Sequence, residues 1–159
     1  MIEEPHLHAS HRQRGLAMVE FVLSAPVLLL LLFGTVEFGH FLIQYSTLND
    51  SVRNAARYVA GVALNGTDGL LKTGAAWNSL QQEGQNLAVF GNIAGSGTAL
   101  LPSLAVGQIT VTEDTVNNNI AVAAAYPYQS LFGASVPNFM GGSIATNFTL
   151  SISTTMRAL

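Results

Sequence analysis

Residues 16–43 read LAMVEFVLSAPVLLLLLFGTVEFGHFLI, and this stretch decides the fold. Its only carboxylates are Glu20 and Glu37, and nothing between them, from Phe21 to Val36, carries a charge. A helix that crosses hydrocarbon needs roughly 20 apolar residues at about 1.5 Å rise each. The run meets that requirement, with Glu20 near one interface and Glu37 near the other. Residues 1–15 are polar, include His6, His8, His11, Arg12 and Arg14, and cannot build a core. Cationic flanks stay on the cytoplasmic side. Arg12 and Arg14 therefore predict a cytoplasmic N-terminus, with the remainder outside. A cleaved secretory signal is the first rival, but its apolar region runs only about 7–15 residues and ends at a small-residue site. Here the run is longer, Glu20 interrupts its start, and FGTVEFGHF (33–41) offers no such site.

The helix is expected to continue beyond the span. Phe38, Phe41, Tyr45, Leu48, Val52, Ala55, Val59 and Val62 recur at spacings of three and four, which lines one helical face. NGTDG (65–69) supplies the stop, so the continuation covers 44–64 and the helix totals roughly 45–50 residues. Pro26 lacks an N–H and crowds the preceding turn, which predicts a kink there. A second helix is expected over 75–90, with Trp77, Leu80, Gly84 and Leu87 on one face and Thr73 as N-cap. GNIAGSG (91–97) reads as a flexible connection.

After residue 105 the period changes to two, predicting strands over 106–113, 119–128 and 144–157. TVNNN (115–119) reads as the hairpin turn between the first two, and a Gly-, Pro- and Ser-rich loop, about 129–142, leads to the third. The fold class is α+β. A long N-terminal transmembrane helix (16–43) continues into an exported domain (44–159) holding the short helix and a three-stranded antiparallel sheet. A sheet with one apolar face needs a cover, and the stripe on the long helix can provide it.

Composition narrows the function. Hydrophobic residues make up 49% and charged residues 9% of the 159, against roughly 25% charged in ordinary soluble domains. The net charge of -3 and six Lys+Arg leave no nucleic-acid footprint. The absence of cysteine excludes disulfides and zinc–cysteine sites. GLLKTG (69–74) lacks the second glycine of a phosphate loop, and GSG (95–97) lacks the third of a dinucleotide fingerprint. His6, His8 and His11 on a polar tail are assigned no metal role, and no cofactor is expected. His40, three residues after Glu37, reads as a solvated interfacial residue. A membrane-tethered enzyme using that pair is the weakest alternative. Trp77 reads as core. Asn49, Asn65 and Asn147 open N-x-[ST] triplets, which matter only in a host that glycosylates them.

Glu20 has two physical readings. A carboxylate this close to hydrocarbon marks function by default. Alternatively it snorkels to the headgroups and pairs with Arg12 or Arg14. Both remain open on physics alone.

RGLAMVEF (14–21) places a glycine, five residues ending in Glu20, then the aromatic Phe21 ahead of a long apolar run. This resembles the processing site of type IV pilin-like precursors. The segment from Arg14 to Gly39, with Pro26 and the second Glu37-Phe38-Gly39, resembles the TadE-like minor pilins (pseudopilins) of the tight-adherence, or Flp pilus, system. SVRNAARYVA (51–60) is similar to the helical segment that follows in that family. The resemblance implies that residues 1–15 are a cytoplasmic leader, cut by a prepilin peptidase between Gly15 and Leu16, with Glu20 becoming the fifth mature residue. It implies a peptidase substrate rather than an enzyme. Its partners would be membrane lipid, that peptidase, other pilins or TadE-like subunits and the assembly machinery. Its place would be the bacterial inner membrane with a periplasmic C-terminal domain, or the pilus itself. The alternative is a single-pass envelope protein whose periplasmic binding domain never enters a filament.

Overall fold

The computed structural model describes residues 9–66, 69–137 and 141–159, with the backbone alone at 9–14 and 136–137. Helix α1, Ala9–Val62, is a single α-helix of 54 residues that continues through Pro26. It starts within the segment that its polarity marks as a tail. Ala, Arg and Gln are good helix formers, and extending an existing helix costs far less than nucleating one. His6 and His8 lie outside the described residues. The chain divides into two units, with the boundary between Gly39 and His40.

In the first unit the large side chains of α1 from Leu16 to Phe33 are exposed. Its hydroxyls are satisfied by their own helix: Ser24 Oγ donates to the Phe21 carbonyl at 3.3 Å and Thr35 Oγ1 to that of Leu31 at 2.8 Å. An apolar helix that is exposed all round fits a membrane environment, not a water-facing one.

In the second unit α1 buries Gln44, Leu48, Ser51, Val52, Ala55, Ala56, Val59 and Ala60, and Ala63 is buried just past its end. The apolar periodicity identifies Leu48, Val52, Ala55 and Val59 correctly. Phe38, Tyr45 and Val62 are exposed instead, and Gln44, Ser51, Ala56 and Ala60 join the buried face. The face turns toward small residues because neighbouring elements approach closely. Helix α2, Ala75–Phe90, places Gly84 where an added Cβ would lie 2.5 Å from Val59 Cγ2. Its N-cap is Gly74 rather than Thr73, with no side-chain cap bond. Gly91 closes its C-terminus in the left-handed region, donating its N–H to the Leu87 carbonyl at 3.0 Å. Tyr58 Oη on α1 donates to Glu83 Oε2 on α2 at 2.7 Å. That hydrogen bond, with burial and the carboxylate charge, raises the Tyr58 pKa above its ordinary 10.0.

The connection after α2 is closed by hydrogen bonds. Asn92 Nδ2 donates to the Ser96 carbonyl at 2.7 Å and its Oδ1 accepts from Ser96 N at 3.2 Å, while Leu101 and Leu104 enter the core. A 3-10 turn, Val106–Gln108, leads into β1, Ile109–Asp114; β2 is Asn119–Pro127 and β5 is Thr149–Arg157. These form an antiparallel sheet of order β1-β2-β5, with Ile109 facing Ala124 and Ala124 facing Ile152. Ile109, Val111, Ile120, Val122, Tyr126, Leu150 and Ile152 point into the core, as the two-residue alternation predicts. Two glutamines one helical turn apart cover the edge of β1. Gln81 Nε2 donates to Val111 O at 2.8 Å and Gln85 Nε2 to Ile109 O at 3.0 Å. Four helical residues rise about 6 Å and two strand residues about 6.8 Å, so the two periods match. The loop before β5 contains two further strands, β3 (Ser135–Pro137) and β4 (Ser143–Ala145), which pair antiparallel as a separate ribbon.

Candidate functional site

The sequence-predicted site residues lie along one stretch of α1. Gly15 sits inside the helix with no heavy atom within 4 Å of where its Cβ would be. Leu16 is 73% exposed, and Glu20, Phe21 and Pro26 are exposed as well. Arg12 and Arg14 fall within the helical backbone ahead of Gly15. Among the described residues no second element gathers these residues into a pocket; what organises them is helical periodicity. Leu16 and Glu20 are four apart, so they lie on one face with about 6 Å of rise between them. A long helical side chain leans toward the N-terminus, which directs the Glu20 carboxylate back toward Leu16.

A second constellation lies where α1 enters the second unit. Gln44 is 2% exposed, and its amide pairs with the backbone of Gln129, just beyond β2. Nε2 donates to Gln129 O at 2.7 Å, and Oε1 accepts from Gln129 N at 3.2 Å. His40 Nε2 sits 3.1 Å from the same carbonyl and beside the Gln44 amide. His40 is therefore half-buried and engaged, rather than solvated as the sequence suggests. Aromatic rings surround this clasp. Tyr128 and Phe148 stack with centroids 4.8 Å apart, and Phe41 meets each of them at 5.9 Å. Among the described residues no group of three or more His, Asp or Glu side chains could hold a metal ion.

Residues 15–57 match the family model described as TadE-like protein. This segment is TadE-like. The TadE-like match begins at Gly15 and runs to Arg57, so it covers the exposed apolar part of α1 and most of its buried face, including Gln44. Residues 58–159 lie outside the TadE-like match. No curated protein and no solved structure matches the chain. The match over this segment is consistent with a protein of the Tad pilus system. The exposed α1 is long and apolar enough to cross a membrane, and its most apolar window is entirely unburied. Sequence reasoning missed the Gln44–Gln129 clasp. One polar residue in an apolar stripe reads as a neutral interruption until its backbone partner, 85 positions away, is known.

Proposed function

We propose that the protein is a membrane-anchored minor pilin or pseudopilin of a Tad-type pilus, cut by a prepilin peptidase between Gly15 and Leu16, and that it takes part in pilus assembly or initiation. One observation carries the reading: an unburied apolar helix has its first carboxylate, Glu20, one turn after Leu16, in a TadE-like segment that begins at Gly15. The cut removes Arg12 and Arg14 and frees an α-ammonium at Leu16, on the helical face of Glu20. A charged side chain at the bilayer centre costs about 3 kcal/mol on insertion scales, and Glu20, near an interface, costs a part of that. Pairing with an ammonium, its own or a neighbour's, offsets much of that, so apolar helices bundle in the register that pairs Glu20. Glycine at position 15 weakens the helix by about 1 kcal/mol relative to alanine, which eases local unwinding at the bond to be cut. Before assembly the same helix anchors the subunit in the inner membrane. Arg12 and Arg14 hold the N-terminus in the cytoplasm and the unit from His40 onward lies in the periplasm.

The Glu20→Ala variant tests the pairing role. Membrane insertion should persist and pilus formation should fall; unchanged piliation contradicts the role. Recovery of the protein in sheared pili excludes the single-pass envelope protein that never enters a filament, and confinement to the inner membrane favours it.

A further inference from the structure

The end of the apolar run and a distant loop are held at one level of the second unit. Leu42 and Ile43 close the run, and Ile43 is 66% exposed. One residue further, Gln44 holds Gln129, and three residues before that, Phe41 contacts Tyr128 and Phe148. The loop between Gln129 and Phe148 thus begins and ends at the depth where α1 stops being apolar. Its two described legs, residues 129–134 and 143–148, expose Leu131 (55%), Ile144 (60%) and Phe148. Leu131 lies two residues from Gln129, within about 7 Å of chain reach, and Ile144 four from Phe148, within about 14 Å. No Asp, Glu, Lys or Arg occurs anywhere from Thr115 to Met156.

A stretch that exposes large apolar side chains without one charge is costly against water and cheap at a lipid–water boundary, where a charge would be penalised. Tyr45, which is exposed, is an amphipathic ring of the kind that concentrates at that boundary. We propose that these two legs are a second membrane-contact element, resting in the interfacial layer of the leaflet from which α1 emerges. The occupant is the lipid surface itself, because the patch is continuous with the end of the apolar run and lacks the charges that would select a polar partner. This inference rests on the membrane-anchor reading above.

The test uses the full chain reconstituted in phosphatidylcholine vesicles brominated at shallow acyl positions. The parent has a single tryptophan, Trp77, in the core, which gives a constant background. Ile144→Trp and Leu131→Trp report on the two legs, and Leu30→Trp reports on the span with deeply brominated lipid. The added emission of both leg variants should fall by about half with shallow bromine, the depth of an interfacial indole. It should do so equally at all protein densities. Quenching of Leu30→Trp without quenching of the legs overturns this inference and leaves the anchor standing. Failure to quench Leu30→Trp removes both. Shielding of the legs that grows with protein density and is insensitive to bromine assigns the patch to a second copy and also overturns the inference.

Discussion

Gln44 and Gln129 reproduce a peptide pairing with a side chain. The Gln44 amide donates to the Gln129 carbonyl at 2.7 Å and accepts from the Gln129 N–H at 3.2 Å, in a setting where Gln44 is almost fully buried. One side chain of the helix thereby meets both backbone groups of Gln129 where β2 ends, with His40 Nε2 3.1 Å from the same carbonyl. Removing the amide leaves the Gln129 N–H unpaired, at about 1–3 kcal/mol if water cannot reach it, and leaves the carbonyl with His40 Nε2, 3.1 Å away, as its remaining neighbour. Gln44→Leu should therefore destabilise the second unit by roughly 1–3 kcal/mol. Thermal unfolding of the full chain in detergent should show Tm falling by about 10 °C. Gln44→Glu keeps the acceptor and loses the donor to the carbonyl, so it should not restore stability.

Gly84 marks a close approach of α2 to α1. A methyl group there would sit 2.5 Å from Val59 Cγ2 and 3.6 Å from Val111 Cγ2. Val59 is β-branched and fully buried, so it cannot rotate away cheaply. Gly84→Ala should cost about 1–3 kcal/mol in denaturant unfolding, despite the better helix propensity of alanine. Val59→Ala in the same chain should recover part of that loss. The coupling from the double-mutant cycle is the quantity to measure.

Asp114 organises the β1–β2 turn. Its Oδ2 accepts from Asn117 Nδ2 at 2.7 Å, and its Oδ1 accepts from Val116 N at 3.0 Å and Asn117 N at 3.3 Å. The Asn117 side-chain bond, followed by the backbone bonds, holds the carboxyl below its ordinary 3.8. A depressed folded pKa means that the turn's contribution is complete above the ordinary value and disappears as pH falls through the folded one. Carboxyl-carbon NMR of Asp114 should titrate below the usual range. In Asn117→Ala its midpoint should move up toward 3.8.

The architecture was legible wherever burial followed a simple period. Ile109 and Val111, Ile120 and Val122, and Leu150 and Ile152 alternate because each strand has one covered face. The apolar run from Leu16 announces its helix by length alone. What escaped the sequence depends on close approach or on long-range partners. Ser51 is 4% exposed because its Oγ donates to the Leu48 carbonyl at 2.8 Å, which makes a polar residue tolerable on the buried face. The β3–β4 ribbon is too short, at three residues a strand, to carry a period. Gly74 replaces Thr73 at the α2 cap because the required backbone sits at φ 62°, which glycine adopts without a Cβ penalty. The candidate site divides the same way. The Gly15-to-Glu20 spacing is read directly from the chain, whereas the Gln44–Gln129 clasp inside the second unit required the fold.

The mature N-terminus tests the central claim most directly. Intact mass and N-terminal peptide sequencing of protein recovered from membranes should find Leu16 as the first residue, with Glu20 fifth and the segment Met1–Gly15 lost. A mature chain that still begins at Met1 would contradict processing at Gly15 and, with it, the ammonium that Glu20 is proposed to pair with.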